Sequence, residues 1–240
     1  MRAVICGANG AMGKLLQQRF EDIAALVSID GENGVAKTFG ELNEVNPEVV
    51  VDFSHHSAAP QAAAYAVKES CALVVGTTGH TEEEKAAILE AAKSVPVFYA
   101  GNMSLGIAVL CRLAKDAAKS FPDADIEIVE VHHNRKVDAP SGTAKMLFEA
   151  VKEVRPQATA NCGRAGEGKR TAEEIGISSL RMGGVVGIHE VHICTDTQRL
   201  TLKHEACDRG MFADGAKAAA EFLMDKPAGL YNMENLLENC

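Results

Sequence analysis

The start of the chain constrains the fold most, because a short apolar run stops there at a set of evenly spaced glycines. The run Ala3–Cys6 is continuously apolar, which is typical of a strand buried on both faces. Gly7, Gly10 and Gly13 follow at intervals of three residues and lead into a helical pattern. We therefore predict that this segment forms the first strand–turn–helix unit of a sheet.

The same alternation continues to about residue 100, where short apolar runs are separated by Ala-rich helical patterns. Thr81, with Glu84 three residues later, forms a capping box that marks the start of one helix. Strands that alternate with helices over short connections indicate a doubly wound parallel sheet. The predicted strands are Ala3–Cys6, Ala25–Ile29, Val49–Phe53, Ala72–Val75 and Val97–Ala100, and the predicted helices include Ser57–Lys68 and Thr81–Lys93.

The pattern changes after a predicted helix at Leu105–Ser120. The segments IEIVEVHH and RLTLKHE alternate apolar with polar residues, as half-exposed strands of an antiparallel sheet do. The later part of the chain is therefore predicted to be a second, α+β domain. Its strands are Ile126–His132, Ser178–Met182, Val185–Thr195 and Arg199–Glu205, one helix at Ser141–Val154 lies among them, and a last helix follows at Gly210–Leu223.

The composition excludes several classes of protein. The net charge of −9 and the sequence pI near 5.4 argue against nucleic acid or an anionic membrane as a partner. A transmembrane helix needs about 18 apolar residues in a row, which the sequence lacks, and Gly7 comes too early for a signal peptide, so we expect a cytoplasmic protein. The seven cysteines are scattered without C-x-x-C spacing, which argues against zinc and against a disulfide framework.

The glycine turn has the character of a dinucleotide-binding loop. Glycine lets the backbone turn tightly and approach a pyrophosphate, which then lies at a helix N-terminus. Asn9 stands where a second glycine is usual, and Asn is one of the few residues that tolerate a left-handed backbone. Asp30 lies at the end of the second predicted strand, about 20 residues after the turn, where an acidic residue binds the adenosine ribose. The alternative is a glycine turn without a ligand.

The residues around Asp30 favour NADH over NADPH. A carboxylate at this position accepts hydrogen bonds from both ribose hydroxyls and repels a 2′-phosphate. No arginine follows Asp30, because the next residues are Gly31, Glu32, Asn33 and Gly34. Lys37 is the first cation, and its flexible side chain leaves NADPH as a tolerated alternative.

Two further turns follow the fourth and fifth predicted strands. GTTG occupies residues 76–79, and AGNMS occupies residues 100–104. Ligands of open parallel sheets lie beyond the carboxyl ends of the strands, so we expect both turns to line the nicotinamide half of the site. The alternative for each is a tight turn without a ligand.

The segment VEVHHNRKVDAPSGTA, residues 129–144, carries more positive charge than a connection between a strand and a helix requires. Lys136 is a fixed charge, and the helix that begins near Ser141 presents backbone N–H groups at Gly142 and Thr143. This arrangement suits a carboxylate-bearing substrate, with His132 or Lys136 as a proton donor beside it. The alternatives are surface histidines and an Asp138 that only orients Lys136.

Taken together, these segments resemble the dihydrodipicolinate reductase family over the whole length of the chain. HHNRKVDAPSGTA is highly specific to that family. The other matching segments are GANGAMG near the start, VDFS at 51–54, GTTG at 76–79, AGNMSLG at 100–106, LRMGGVVG at 180–187 and LKHEACDRGMFADGA at 202–216.

The resemblance implies an NAD(P)H-dependent reduction of 4-hydroxy-tetrahydrodipicolinate (dihydrodipicolinate) to tetrahydrodipicolinate, a step of lysine and diaminopimelate biosynthesis. It implies an α/β fold with a Rossmann-type parallel-sheet domain at 1–104 and 210–240. An α+β substrate domain with a mostly antiparallel sheet is inserted at 105–209 and is expected to build a homotetramer through its sheets.

The resemblance also assigns roles to individual residues. His132 corresponds to the proton donor of the family, and Lys136 to a second proton donor that also binds substrate. The remaining substrate-binding residues are His133, Ser141, Gly142 and Thr143. The nucleotide-binding residues are Gly7, Ala8, Asn9, Gly10, Ala11, Met12, Asp30, Gly76, Thr77, Thr78, Ala100, Gly101, Asn102 and Met103.

Three positions depart from the family pattern. His80 stands where an aromatic residue is common, Ile188 where an acidic residue is usual, and Met103 where Phe is frequent. These departures bear on nicotinamide packing and on the tetramer interface. Two other functions fit the domain plan: an aspartate or homoserine dehydrogenase, and a catalytically silent nucleotide sensor. The PSGT helix start after HH-x-x-K argues against the first, and the intact cationic segment argues against the second.

Overall fold

Strands and helices alternate through the first part of the chain, and strands dominate between residues 125 and 206. Short 3-10 helices lie at Phe39–Glu41 and His56–Ala58. In chain order the elements are β1 (Arg2–Cys6), α1 (Ala11–Gln17), β2 (Asp22–Val27), β3 (Val49–Asp52), α2 (Ala59–Glu69), β4 (Ala72–Val75), α3 (Glu82–Ala91), β5 (Pro96–Tyr99), α4 (Leu105–Ser120), β6 (Asp125–His132), α5 (Gly142–Lys152), β7 (Thr159–Cys162), β8 (Glu174–Arg181), β9 (Gly187–Cys194), β10 (Arg199–Ala206), α6 (Gly210–Leu223), β11 (Gly229–Tyr231) and α7 (Met233–Leu237).

The structure is a computed structural model that describes residues 1–32 and 35–238. Asn33 and Gly34 of the predicted cofactor loop lie outside the described residues, as do the last two positions of the predicted first domain, 239–240. The chain divides into two units. Unit 1 comprises Met1–Leu105 together with Gly210–Cys240, and unit 2 comprises Gly106–Arg209.

The sheet of unit 1 is parallel throughout and has the strand order β11-β5-β4-β3-β1-β2. The chain starts at β1, moves outward to β2 on one side and then returns to β3 and β4 on the other. The carboxyl ends of β1, β3, β4 and β5 therefore share one edge of the sheet, which carries the predicted nucleotide turns. The predicted Rossmann-type fold is confirmed.

Small residues on α2 let this helix lie close to the sheet. Ala59, Ala62, Ala63 and Ala66 are all buried and have the i, i+3, i+4, i+7 spacing of one helix face. They pack in one core with valines and leucines of the central strands, which are buried on both faces. Burial on both faces explains why these strands are continuously apolar in the sequence.

The sheet of unit 2 is mixed and has the order β10-β9-β6-β8-β7. β6, β9 and β10 pair antiparallel, as predicted, whereas β8 and β7 add two parallel pairs beside β6. Alternate residues of β6 are buried, so one face of the sheet packs in a core with α4 and α5. Strand β6 lies at the centre of the sheet, and its last residue is His132.

A glycine joins the C-terminal part of unit 1 to the turn after β5. A Cβ at Gly215, in the middle of α6, would lie 1.7 Å from the carbonyl oxygen of Met103. Only glycine allows this approach between the helix and the turn. Met103 itself is 1% exposed, so the turn at 100–104 is anchored inside unit 1.

Three of the numbered elements escaped prediction because they are short or lack an apolar pattern. β7 reads TANC and is mostly exposed, and it is held by backbone pairing to β8 at the edge of the sheet. β11 has only three residues, and α7 has five. The second strand also ends earlier than predicted, at Val27, so Asp30 lies in the turn that follows it.

No helix among the described residues is long and apolar enough to span a membrane. The six cysteines that the structure describes are free thiols, whereas Cys240 lies outside the described residues.

Candidate active site

The turn after β1 has a backbone geometry that side chains would prevent. Gly7 has a φ of 82°, and a Cβ there would lie 2.4 Å from the carbonyl oxygen of Phe53. A Cβ at Gly13 would lie 2.2 Å from the carbonyl oxygen of Gly7. Gly10 is the N-cap of α1. Because Gly7 and Gly13 exclude side chains, the turn offers the bare backbone that a pyrophosphate requires.

Asn9 has a role that its place in the glycine pattern did not reveal. Its Nδ2 donates a hydrogen bond of 2.5 Å to Oδ1 of Asp30. The non-glycine residues with positive φ in the described part of the chain are Glu44, Asn46 and Ser70, so the left-handed backbone considered for Asn9 is wrong. The hydrogen bond from Asn9 lowers the pKa of Asp30, which keeps this exposed carboxyl ionised.

Lys37 lies against the residue that follows Asp30. A Cβ at Gly31 would lie 2.5 Å from Cγ and 2.6 Å from Cε of Lys37, so the stem of this lysine crosses directly over Gly31. Gly31 has a φ of 60°, which favours glycine. The first cation after β2 is therefore close in space to Asp30 as well as in sequence.

The turn at 76–79 is fastened to the end of β3. Oγ1 of Thr77 donates to the carbonyl oxygen of Asp52 at 3.3 Å and accepts a hydrogen bond from the backbone N–H of Ser54 at 3.0 Å. Thr77 is buried, so its hydroxyl holds two turns together. Thr78 and Gly79 are exposed and Gly76 is half-buried, so a ligand can reach the turn at these three residues.

His80, one of the departures from the family pattern, is buried beside Tyr99. Its Nδ1 lies 3.1 Å from the Tyr99 hydroxyl, and the two rings meet edge to face at 5.6 Å. Burial lowers the pKa of His80, so the ring is neutral near pH 7. Of the turn after β5, Ala100 and Asn102 are half-buried and Gly101 is exposed, whereas the side chain of Met103 is buried.

In unit 2, the end of β6 places His132 next to a buried carboxylate. Glu130 and His132 are two residues apart and so share the core-facing side of the strand. Nδ1 of His132 lies 2.5 Å from Oε2 of Glu130, which has no exposed surface. Arg181, opposite His132 on β8, donates from Nη1 to Oε2 at 2.9 Å and from Nη2 to Oε1 at 2.8 Å.

The charges in this group set its protonation. Burial by itself raises the pKa of Glu130, but hydrogen bonds from Arg181 and His132 outweigh it and lower the pKa to about 2. Burial lowers the pKa of His132, and the hydrogen bond to Glu130 opposes that effect in part. Near neutral pH, Glu130 is therefore ionised and His132 is largely neutral.

The start of α5 is tied to the same carboxylate. Ser141 is the N-cap of α5, and its Oγ accepts a hydrogen bond from the backbone N–H of Ala144 at 3.2 Å. The backbone N–H of Ser141 donates to Oε1 of Glu130 at 3.0 Å. Gly142 is exposed and Thr143 is half-buried, so the first turn of the helix faces outward at these two predicted substrate-binding residues.

Lys136 lies in the connection between β6 and α5 and pairs with Asp138, with Nζ 2.8 Å from Oδ1. The carbonyl oxygen of Asp138 accepts a hydrogen bond of 2.6 Å from Arg181. Asp138 therefore orients Lys136 and also ties the connection to the Glu130 group. His133 is half-buried, and its Nδ1 is buried without a hydrogen-bond partner among the described residues.

His189 on β9 completes the group. Its Nε2 lies 3.2 Å from Oγ of Ser141, and its ring meets that of His132 at 5.0 Å. The ligating atoms of Glu130, His132 and His189 lie within 4.8 Å of one another, a spacing that a metal ion could use. Glu130 already accepts four hydrogen bonds, and Arg181 places a positive charge beside it. We therefore interpret the group as a hydrogen-bond network.

Glu130, Arg181 and His189 belong to the candidate site and were not predicted from the sequence. A signal for Glu130 was present, because Ile126, Ile128, Glu130 and His132 alternate on one face of β6, and a buried charge needs a partner. The partner itself lies on another strand, and the register of that strand is not visible in the sequence.

Burial of His189 predicts a stability that depends on pH. Burial and the neighbouring His132 lower the pKa of His189 from 6.5 to about 4. The unfolded chain therefore binds a proton between pH 6.5 and 4 that the folded chain does not. The contribution of His189 is complete above pH 6.5 and decreases as the pH falls, by about 3 kcal/mol at pH 4.

Urea unfolding at a series of pH values measures this effect. Between pH 6.5 and 4, the free energy of unfolding should depend much less on pH in the His189→Gln variant than in the wild type. The His192→Gln variant, changed on the other face of β9, should keep the wild-type dependence. If the pH dependence of the free energy of unfolding were unchanged in His189→Gln, groups other than His189 would be responsible for the loss of stability in acid.

Comparison with known proteins gives matches along the whole chain. The family described as "Dihydrodipicolinate reductase, N-terminus" matches residues 1–103, and the family described as "Dihydrodipicolinate reductase, C-terminus" matches residues 106–237. The chain is 37% identical to a 4-hydroxy-tetrahydrodipicolinate reductase of Clostridium tetani, covering 100% of this chain and 98% of the relative. The corresponding protein of Rickettsia bellii is 41% identical, with 98% and 94% covered.

A solved structure shares the fold over nearly the same extent. Dipicolinate-bound dihydrodipicolinate reductase from Paenisporosarcina sp. TG-14 superposes with a TM-score of 0.81 at 25% identity, covering 98% of each chain.

Proposed function

This chain belongs to the dihydrodipicolinate reductase family, and we infer from that membership that it reduces 4-hydroxy-tetrahydrodipicolinate with NAD(P)H to tetrahydrodipicolinate. The reaction is a step of lysine and diaminopimelate biosynthesis. The observation that carries this inference within the chain is the segment HHNRKVDAPSGTA. It is folded so that His132 and the start of α5 share one buried carboxylate.

The substrate is a ring with two carboxylates, and the connection between β6 and α5 supplies the groups to hold them. Lys136 provides a positive charge, and Gly142 and Thr143 provide the first turn of a helix, where backbone N–H groups attract anions. His133 lies in the same connection, and we assign its side chain to binding a carboxylate of the substrate as well. The backbone N–H and Oγ of Ser141 are bound to other residues, so we assign Ser141 to shaping the turn. The solved relative binds dipicolinate, which supports a ring with two carboxylates as the substrate.

Reduction adds a hydride and a proton across the conjugated imine system of the ring. A nicotinamide cofactor, when bound, supplies the hydride. The bare backbone at Gly7, the ionised Asp30 and the turns at 76–78 and 100–103 are the residues that we assign to holding it. The cationic groups that bind the carboxylates also stabilise negative charge that builds up on the ring during transfer.

We assign the proton to His132 and the electrostatic role to Lys136. His132 is held in one orientation by Glu130, as a group that transfers a proton must be. Lys136 is held by Asp138 within the connection, and we assign its ammonium group to a carboxylate of the substrate as a second anionic partner. A second proton donation by Lys136 is the alternative that the Lys136 variants below test.

We predict that NADH is the preferred cofactor because Asp30 is ionised and exposed. The 2′-phosphate of NADPH meets a negative charge there, although the nearby Lys37 offsets part of it. The KM for NADH should therefore be lower than that for NADPH. Lys37→Gln should raise the KM for NADPH and leave that for NADH nearly unchanged, whereas Asp30→Asn should reduce the preference. An equal preference in the wild-type chain would show that Lys37 neutralises the phosphate fully.

The open face of the unit 2 sheet supports a homotetramer. Leu180, Val131 and Ile188 stand side by side on β8, β6 and β9, on the face away from α4 and α5. Ile188, a departure from the family pattern, thus extends an apolar row that a second sheet can cover. Light scattering coupled to size exclusion measures the mass, and Val131→Glu should lower it. A wild-type monomer would overturn this part of the proposal.

The metabolites of this pathway also imply that the enzyme works in the cytoplasm.

A coupled assay tests the function directly. A synthase supplies fresh substrate from aspartate semialdehyde and pyruvate, and the oxidation of NADH is followed in the presence and absence of this chain. Oxidation that requires both the synthase and the chain is the expected result. A chain that binds NADH without turnover would identify the nucleotide sensor instead, and turnover with aspartate or homoserine would identify the dehydrogenase.

A further inference from the structure

Glu130 is the point at which three separate elements of unit 2 meet. It lies on β6 with no exposed surface. Oε2 contacts Nδ1 of His132 and Nη1 of Arg181, and Oε1 contacts Nη2 of Arg181 and the backbone N–H of Ser141. Each oxygen therefore holds one part of the predicted substrate site and one nitrogen of the same arginine.

Arg181 explains how a carboxylate can be kept ionised at this depth. An unpaired buried carboxylate is strongly disfavoured, whereas a bidentate guanidinium with further hydrogen bonds offsets the loss of water. With this arginine in place, Glu130 does not compete with His132 for a proton. The low pKa of Glu130 is consistent with a carboxylate that stays ionised beside His132.

An ionised Glu130 also determines which nitrogen of His132 carries the proton in the neutral ring. A carboxylate only accepts hydrogen bonds, so the contact of 2.5 Å requires an N–H at Nδ1. Nε2 is then the nitrogen that takes up a proton, and the imidazolium formed in this way is the species that donates it to the substrate. A Cβ at Gly187 would lie 3.1 Å from Nε2, so glycine at that position keeps this nitrogen uncrowded.

The other oxygen of Glu130 fixes the turn that we assign to the carboxylate of the substrate. It holds the backbone N–H of Ser141, whose Oγ caps α5 and contacts His189. The position of Gly142 and Thr143 is therefore linked to that of His132 through one side chain.

We propose that Glu130, held by Arg181, is a positioning residue that fixes His132 with Nε2 free for proton transfer and sets the start of α5 in register with it. This proposal rests on the proposed reductase function. Glu130 does not touch the substrate in this scheme and acts through His132 and Ser141. The charged and titratable groups around His132 are Glu130 on its own strand, Arg181 on β8, His189 on β9, and Lys136 and Asp138 in the connection.

Glu130→Gln is the main test, because it keeps the size of the side chain and removes the charge. We expect kcat to fall roughly 10²- to 10⁴-fold, the range lost when a proton donor is disabled. The carboxylate raises the pKa of His132, so its loss should move the limb of the kcat profile in which activity falls with rising pH to lower pH. Calorimetry should also show weaker binding of pyridine-2,6-dicarboxylate, because a neutral amide holds the turn at Ser141 less strongly than a carboxylate does.

Glu127→Gln is the matched control. Glu127 lies on the same strand but on its open face, where it pairs with Arg170, and the variant should keep the wild-type kcat, pH profile and inhibitor affinity. Arg181→Lys keeps a positive charge without the two-pronged contact and should give an intermediate kcat. Thermal melts of all variants separate a lost role from a lost fold.

A spectroscopic measurement tests the proposal even where Glu130→Gln does not fold. In the wild-type protein labelled with ¹⁵N-histidine, the neutral ring of His132, assigned by comparison with His132→Gln, should be protonated at Nδ1. Protonation at Nε2 would overturn the proposal, as would a folded Glu130→Gln variant with unchanged kcat, pH profile and inhibitor affinity. The NMR result does not depend on turnover, so it distinguishes failure of this proposal from failure of the reductase function.

Discussion

His132→Gln is expected to lower kcat by roughly 10²- to 10⁴-fold while leaving the affinity for pyridine-2,6-dicarboxylate nearly unchanged. The glutamine amide can still donate to Glu130, so the buried carboxylate keeps a partner in place of Nδ1. It has no proton to give at the pH of the reaction. Steady-state kinetics and calorimetry with the inhibitor measure the two effects separately.

His133→Gln is the comparison that isolates binding. His133 is the next residue, but the described hydrogen bonds of Glu130 go to His132, Ser141 and Arg181, and His133 lies half-buried in the connection. We expect its loss to raise KM by roughly tenfold with a smaller effect on kcat, as for one lost hydrogen bond to a charged group. Full turnover in both variants would show that neither histidine has the assigned role.

Lys136→Met should raise KM by roughly 10- to 100-fold, because it removes the charge that we assign to a substrate carboxylate and keeps much of the volume of the stem. It also leaves Asp138 without its partner at 2.8 Å, and an unpaired negative charge next to an anionic substrate adds to the loss. The same variant should lower kcat, since the cation stabilises charge on the ring during hydride transfer.

Lys136→Arg separates charge from proton donation. Arginine keeps the positive charge but does not give up a proton in the accessible pH range. If Lys136 only binds and stabilises, the arginine variant should recover most of the kcat. If kcat stays as low as in Lys136→Met while KM recovers, Lys136 is a proton donor after all. Normal kinetics in Lys136→Met would mean that the whole cationic segment is solvated surface.

Local patterns predicted much of the fold because they act within one element. The capping box at Thr81, the burial of Ala72–Val75 on both faces and the bounds of Leu105–Ser120 and Gly210–Leu223 all depend on residues close in sequence. The missed β7 has no such pattern, since pairing along a sheet edge requires only backbone groups.

The site was predictable only as far as its residues lie in one segment. His132, Lys136 and the start of α5 belong to a single connection, and their types alone indicated an anion site with a proton donor. The contact between Glu130 and Arg181 joins residues 51 positions apart through the register of two strands. The hydrogen bond from Asn9 to Asp30 depends in the same way on the residue at which β2 ends. The strand propensities of the individual residues do not define that end.

The close approach of Gly215 to Met103 has a consequence for the order in which the chain matures on the ribosome. Unit 2 is one continuous segment and is complete once residue 209 has emerged. The turn at 100–104 must wait for α6, and the sheet edge at β5 must wait for β11, both of which are synthesised last. Domains generally fold as units during synthesis. We therefore expect unit 2 to acquire its native structure while unit 1, which we assign to the cofactor, is still incomplete. Nascent chains arrested after residue 209 has emerged, with the later residues still inside the ribosome, should therefore resist proteolysis across residues 106–209 before any of them can retain NADH.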